Sequence, residues 1–244
     1  MDFKKVRSVF EDRGMDASEV VTSYNELTSR IKESISANPQ GELGDSRRIR
    51  EYSLVLCQVL LHRAIKLFSG SLTALLDDNT YSMVLSIRGH FETTAALGYL
   101  HYRLNSLSEG NLDAEVVDRD ISKQLLGSRD KDLLESAGED AIEAKQIMDM
   151  LEYADRSVSK HLLQGTAKEH VHLTNSYKFL CEFCHPNFYS NAIAFELNKE
   201  EKKFYFMYKK SIRKREFELI DYLLAGNPIF VELFDTVKEL LPQE

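Results

Sequence analysis

Two cysteines and a histidine near residue 180 lie close enough in the sequence to attach a haem, bind a metal ion or form a redox pair. The segment CEFCH, residues 181–185, has the C-x-x-C-H spacing of covalent haem attachment. Attachment of that kind normally requires export, and the N-terminus MDFKKVRSVFEDRGMD contains no apolar signal segment. We therefore expect no haem, and we interpret Cys181 and Cys184 as buried thiols on a helix that stops before Pro186.

The same cysteines have two further chemical interpretations. Together with His170 and His172 they give the spacing H-x-H-x8-C-x2-C, and two imidazoles with two thiolates make a tetrahedral zinc site. Zinc-binding C-x-x-C pairs usually sit on turns, however, and a redox pair usually places its first cysteine at a helix N-terminus. Here both cysteines lie near the predicted C-terminal end, so zinc and redox chemistry stay alternatives and we predict no cofactor and no metal.

An apolar helix carries two charged side chains on one face. Arg88 and Glu92 are four residues apart in SMVLSIRGHFETTAALGYL, residues 82–100, so they share a face and are predicted to be partly buried. A buried ion pair is costly unless other groups hydrogen-bond to it. The candidate partners are Tyr177, Glu182, His185 and Asn187. Two interpretations stay open: a structural polar network, or a pocket in which Arg88 binds an anion and His185 transfers protons.

These residues carry a resemblance to a family. Arg88 and Glu92, with the stretch YKFLCEFCHPN at residues 177–187, resemble a group of bacterial all-helical proteins that is similar to the HEPN superfamily (higher eukaryotes and prokaryotes nucleotide-binding). The resemblance covers roughly residues 45–225. It implies a helical bundle and, as in many HEPN proteins, a metal-independent ribonuclease of a bacterial toxin or phage-defence system. On this basis the first-choice catalytic residues are Arg88, Glu92, His185, Asn187 and Tyr177.

The usual HEPN motif is an Arg followed, after four to six residues, by a His. It occurs here as Arg156-Ser-Val-Ser-Lys-His161, with a polar residue after the Arg as in the family. About one such match is expected by chance in a chain of this composition, so Arg156 and His161 are the second choice, and a solvated charged helix face is the alternative. The resemblance implies that a His acts as general acid or base on RNA, that an Arg stabilises the phosphate charge, and that the site forms across a homodimer.

A basic segment follows. Between Lys199 and Arg215 there are eight Lys and Arg against two Glu, in a chain whose net charge is −8. Such a patch can guide RNA and stack its bases, although a hairpin with one core face and one solvated basic face is the alternative. The predicted nucleic-acid-binding residues are Lys202, Lys203, Tyr205, Lys209, Lys210, Arg213 and Arg215, with Tyr208 as a further stacking candidate.

Composition limits the class of protein. Of the 244 residues 43% are hydrophobic and 29% charged, which is ordinary soluble usage, and the net acidity argues against a protein that coats duplex nucleic acid. Three cysteines make no disulfide framework, and the longest uncharged runs, such as LFSGSLTALL, are too short to span a bilayer. We expect a cytoplasmic protein with no membrane partner.

Hydrophobic spacing predicts an all-α fold, a multi-helix bundle of long antiparallel helices with one small β-hairpin near residues 191–209. We expect a single domain over 1–244, with an N-terminal helix and loop (1–44), a helical core (45–188), a hairpin (189–210) and C-terminal helices (211–244). Helices are predicted near 17–35, 47–76, 80–104, 113–126, 131–135, 141–163, 168–184, 211–224 and 228–241, the last two separated by Gly226-Asn227-Pro228.

Two functions follow from these patterns. The first is a HEPN-like RNA-binding protein or metal-independent endoribonuclease. The alternative is a non-catalytic helical protein-interaction module, in which the polar network is structural and the basic hairpin contacts a partner.

Overall fold

The structure, a computed structural model, describes residues 2–32, 37–38, 40–138, 141–162, 172–208 and 211–242. It is an all-α bundle of long helices with a two-stranded antiparallel hairpin, which confirms the predicted fold class. The elements are α1 (Phe3–Glu11), α2 (Ser18–Ser29), α3 (Ser46–Leu76), α4 (Thr80–Ser108), α5 (Ala114–Leu126), α6 (Lys131–Ala137), α7 (Ile147–Ser157), α8 (His172–Cys184), α9 (Phe188–Asn191), β1 (Phe195–Asn198), β2 (Lys203–Phe206), α10 (Lys214–Phe217) and α11 (Ile220–Leu240).

A long hairpin of α3 and α4, with 31 and 29 residues, forms the centre of the bundle. Local signals define its ends, because the Asp45 carboxylate accepts a hydrogen bond from the Arg47 backbone and the Asn79 side chain accepts one from the Ser82 backbone. Asp78 makes the tight turn with φ of +52°. α4 packs against α3, α5, α7, α8 and α11, so most of its surface is interior.

α3 also has the length and apolar composition of a helix that could cross a membrane. Half of its most apolar window is buried inside the bundle, and a core helix of a soluble protein has the same properties. Its uncharged runs are short because Arg63 and Lys66 interrupt them.

The C-terminal helix runs through the sequence at which we predicted a break. α11 is continuous with Pro228 inside it, so the prediction of two long C-terminal helices was wrong. An interior proline costs about 3 kcal/mol. Packing offsets this cost, since Asn227 is fully buried with its amide donating to the Ser23 carbonyl, and a Cβ on Gly226 would lie 3.2 Å from the Phe91 ring.

Other boundaries also differ from the prediction. The helix predicted over 141–163 begins only at Ile147, and after Ser157 it widens into a π-helical turn, Val158–Leu162. The helix predicted over 168–184 is described from His172, because residues 163–171 lie outside the described part. The short helices α1 and α9 were not predicted, and α10 occupies only part of the helix predicted over 211–224.

Candidate functional site

Arg88 and Glu92 form an ion pair on α4. Arg88 Nε lies 3.1 Å from Glu92 Oε1, and both side chains are only a quarter exposed. A second guanidinium, that of Arg63 on α3, lies 3.7 Å from Glu92 Oε2 and also donates to Thr93 Oγ1 at 3.0 Å. Glu92 therefore neutralises two cations, and the predicted part-buried polar pair is present.

One face of α8 covers this pair. The Tyr177 ring lies 5.8 Å from the Arg88 guanidinium carbon. Burial, with smaller contributions from the nearby Cys181 and Glu92, raises the pKa of Tyr177 to about 12. Burial also raises the pKa of the Cys184 thiol, against the opposing effect of Arg88. Burial acts to lower the pKa of Arg88, but Glu92 and the neighbouring thiols leave it raised. All these groups stay in their ordinary protonation states at neutral pH.

His185 lies apart from that cluster. Its side chain is exposed, and within the described residues no hydrogen bond or ring contact joins it to Arg88 or Glu92. The Asn187 side chain is engaged in local hydrogen bonds. Its Oδ1 accepts one from the Ser190 backbone and so caps α9, and its Nδ2 donates one to Glu182 Oε2 at 2.8 Å. The structure thus brings together Arg88, Glu92 and Tyr177 but leaves His185 exposed and Asn187 engaged in capping α9.

The cysteines are free thiols in the structure, but Cys181 and Cys184 are only partly buried, so the prediction that both are buried was wrong. His170, one member of the four-residue zinc pattern, falls outside the described residues. Within the part of the chain that is described, no group of three or more His, Cys, Asp or Glu side chains is arranged to hold a metal ion.

A cavity of about 550 Å³ lies at the other end of α4, between that helix and α7 with its π-helical turn. The residues that line it include Arg103, Glu109, Arg156, Ser157, Lys160 and His161. Both ends of the motif, Arg156 and His161, therefore border one concave surface. The π-helical turn contributes to this arrangement, because the wider turn changes the direction of the side chains after Ser157, and such turns are frequent at functional sites.

Two histidine rings contact each other at the wall of this cavity. The His101 and His161 ring centroids are 5.1 Å apart, and His101 Nδ1 lies 2.6 Å from Ser157 Oγ. Burial lowers the pKa of His101 to about 4, with a smaller effect of His161. Burial also lowers the pKa of His161, and Lys160 adds to this while Glu109 opposes it. Both imidazoles are therefore neutral at pH 7.

Cations surround the mouth of the cavity. Arg156 pairs with Glu152 and lies over the Tyr153 ring, and Lys160 Nζ lies 2.6 Å from Glu109 Oε1. More than half of each of these two cationic side chains is exposed, so an incoming phosphate can reach them. Arg103 is different, because it is only 12% exposed and pairs with Asp120 beneath three tyrosine rings.

The basic segment divides into exposed and internal residues. Lys202, Lys203 and Arg215 are exposed, whereas Arg213 pairs with the buried Glu216 and donates to the Ala192 carbonyl at 2.6 Å. Tyr205 donates its hydroxyl to Glu201 at 2.6 Å. Lys209 and Lys210 lie outside the described residues.

Sequence reasoning missed His101 and the cations Arg103 and Lys160. His101 is on the same apolar helix as Arg88, so a search of that helix for every polar residue would have found it. Comparison with protein-family models, curated proteins and solved structures found no match for this chain. The HEPN-like resemblance therefore stays a prediction.

Proposed function

We propose that this protein is a metal-independent endoribonuclease whose reacting groups lie in the cavity between α4 and α7. The observation that carries the proposal is that a neutral imidazole, His161, and two accessible cations, Arg156 and Lys160, border one cavity of about 550 Å³. The resemblance to HEPN proteins supports RNA as the substrate, and the Arg156–His161 spacing fits their motif.

The chemistry follows from these groups. His161 accepts the proton of a ribose 2′-hydroxyl, and the 2′-oxygen attacks the adjacent phosphorus. The bond from phosphorus to the 5′-oxygen breaks, that oxygen takes up a proton from water as it leaves, and the His161 imidazolium returns its proton to solvent. Arg156 and Lys160 stabilise the negative charge that develops on the phosphate oxygens. The products are a 2′,3′-cyclic phosphate and a free 5′-hydroxyl.

The Arg88 cluster supports this role less well. Its central cation, Arg88, is only a quarter exposed, whereas Arg156 and Lys160 are more than half exposed, and the exposed His185 makes no described hydrogen bond to it. A part-buried network of this kind is explained by helix packing alone. We therefore assign it a structural role and prefer the cavity as the reaction centre.

The test is cleavage of an unstructured single-stranded RNA by the purified chain in EDTA. We expect cutting by the wild type and a loss of about 100-fold or more in His161→Ala, which removes the proton acceptor. Arg156→Ala is expected to lose a similar factor because phosphate stabilisation is lost. The matched control is His62→Ala, an exposed histidine on α3, which is expected to cut like the wild type.

Other outcomes separate the alternatives. Loss of cutting in His185→Ala with full activity in His161→Ala would move the centre to the end of α8 and contradict the proposal. Absence of cutting by a normally folded wild type would leave the interaction module as the function. From the resemblance we also propose a cytoplasmic homodimer in a toxin or phage-defence system, and light scattering of the purified chain tests the dimer.

A further inference from the structure

The β-hairpin turns an apolar face to solvent. Its register places Phe195 opposite Phe206 and Leu197 opposite Phe204, so the four side chains share one face. The Phe195 ring lies 4.9 Å from that of Phe204. Phe204 and Phe206 are nevertheless 59% and 66% exposed. No described residue covers the face, although an amphipathic hairpin would be expected to bury it.

An uncovered apolar face on two strands needs an occupant, because a two-stranded sheet is marginally stable by itself. A second copy of the chain is the first candidate. The exposed part of the four side chains amounts to about 350 Å², taking 150–250 Å² for each aromatic residue. Each partner in a stable interface buries about 800 Å². The face is less than half of that size, which argues against a stable dimer built on it.

Charge favours a polyanion instead. The segment from Lys199 to Arg215 has eight Lys and Arg against two Glu, although the whole chain has a net charge of −8. Lys202 and Lys203, directly before Phe204 at the start of β2, are exposed. Flat rings beside exposed cations are the combination that binds single-stranded nucleic acid, because every base has a face that stacks on an aromatic ring.

We propose that the face formed by Phe195, Leu197, Phe204 and Phe206 binds single-stranded RNA by stacking about two unpaired bases, while the flanking cations contact the phosphates. The surface differs from the one that the sequence indicated, since Tyr205 belongs to the opposite face and bonds to Glu201. It is a binding site, and it holds RNA whether or not the chain cleaves it.

The hairpin and the cavity are far apart. Tyr81, at the start of α4, donates to the Ser190 carbonyl just before the hairpin, whereas the cavity is bordered by Tyr102 near the end of the same helix. At 1.5 Å per residue these positions are about 30 Å apart. Binding at the hairpin is thus separable from reaction at His161, and the two proposals can fail independently.

The experiment measures fluorescence anisotropy of a labelled 12-nucleotide unstructured RNA in EDTA, with the full chain carrying His161→Ala so that cleavage does not interfere. The Phe204→Ala/Phe206→Ala variant is expected to bind at least 30-fold more weakly, since each stacked base contributes about tenfold. Phe204→Tyr/Phe206→Tyr keeps two flat rings and is expected to bind within about threefold of the parent. The matched control, Leu126→Ala/Leu133→Ala, removes two equally exposed apolar side chains on α5 and α6 and should not weaken binding.

Each remaining outcome decides the question. Equal affinity of the parent and the double Phe→Ala variant, with unchanged helical circular dichroism, overturns the inference. Co-sedimentation with phosphatidylserine vesicles that depends on both Phe residues, together with RNA binding that does not, assigns the face to a membrane surface instead. A third outcome is that the chain never cuts RNA but binds it and loses that binding in the double Phe→Ala variant. This result supports the binding site and contradicts only the nuclease proposal.

Discussion

Single residues of the same type have different roles here because their surroundings differ. Arg88 is held by Glu92 and covered by the Tyr177 ring, whereas Arg156 stands at the rim of a cavity with more than half of its side chain exposed. A part-buried pair stabilises the fold only while both partners are present. An exposed cation contributes little to stability but can bind a substrate.

The replacement Arg88→Met tests this division. We expect a loss of about 1–2 kcal/mol in unfolding free energy, because Glu92 keeps only the more distant Arg63. RNA cleavage is expected to stay at the wild-type level, since the cavity lies at the other end of α4. Urea unfolding and the cleavage assay measure the two quantities.

The control for that replacement is Arg119→Met. Arg119 and its partner Glu115 are about 60% exposed, so this change should leave stability nearly unchanged. Unchanged stability in Arg88→Met together with complete loss of cleavage would show instead that Arg88 binds the substrate.

At the scale of secondary-structure elements, close contact between two helices determines the geometry of the cavity. α4 and α7 meet at Gly98, where an added Cβ would lie 2.6 Å from Ala154 Cβ and 3.0 Å from Ala154 Cα. The next residue, Asp155, accepts hydrogen bonds from the Leu173 and Thr174 backbones and so joins α7 to the start of α8. Ser157 and the π-helical turn follow directly in the chain, so the position of this contact determines where they lie.

Gly98→Ala is therefore expected to destabilise the protein by about 2–3 kcal/mol, because the backbone of α7 must move away. We also expect weaker RNA cleavage, since the same movement displaces Ser157 and His161. Thermal unfolding and kcat/KM measure these effects.

Gly70→Ala is the matched control in the neighbouring helix. Its Cβ would meet only the Ser86 side chain, with Oγ at 3.2 Å and Cβ at 3.9 Å, and that hydroxyl can rotate away. Alanine in a helix is favoured over glycine by up to about 1 kcal/mol, so we expect no loss of stability. Equal behaviour of the two variants would contradict the close-contact argument.

The centre of the whole molecule contains a titratable group. His90 is fully buried on α4, with ring centroids 6.4 Å from Phe68 on α3 and 5.9 Å from Phe230 on α11. Burial lowers the pKa of His90 from 6.5 to about 4, against a smaller raising effect of the Ala64 backbone. Protonation of this one group therefore opposes the packing of three helices.

The sign of the pH effect follows from the lowered pKa. Above pH 6.5 His90 is neutral in both the folded and unfolded chains, so it has no effect. Between pH 6.5 and 4 the unfolded chain binds a proton that the folded chain does not, and stability falls. At pH 4.5 this cost is about 2.5 kcal/mol.

We predict that the unfolding free energy of His90→Leu falls by about 2.5 kcal/mol less than that of the wild type when the pH is lowered from 7.5 to 4.5. Urea unfolding of both proteins at the two pH values measures this difference. The contributions of the other titratable groups cancel because they are the same in the variant and the wild type. The control His62→Leu changes an exposed histidine and should keep the wild-type pH dependence. The same acid sensitivity in His90→Leu as in the wild type would rule out the role of His90.

The amino-acid sequence by itself determined the features that depend on neighbours within a few residues. Helix-spaced apolar residues predicted α3 to within one residue and the start of α4 at Thr80, although α4 ends four residues later than predicted, and alternation of Phe195 and Leu197 predicted the hairpin. The same four-residue spacing correctly paired Arg88 with Glu92.

Only the tertiary structure decided which local signals prevail and which side chains meet. Packing against α4 carries α11 through Pro228, the end of α8 leaves His185 in solvent, and the meeting of α4 with α7 places His101 beside His161. Burial and contact between residues distant in the chain are properties of the packed bundle, and the spacing of residue types along one helix does not contain them.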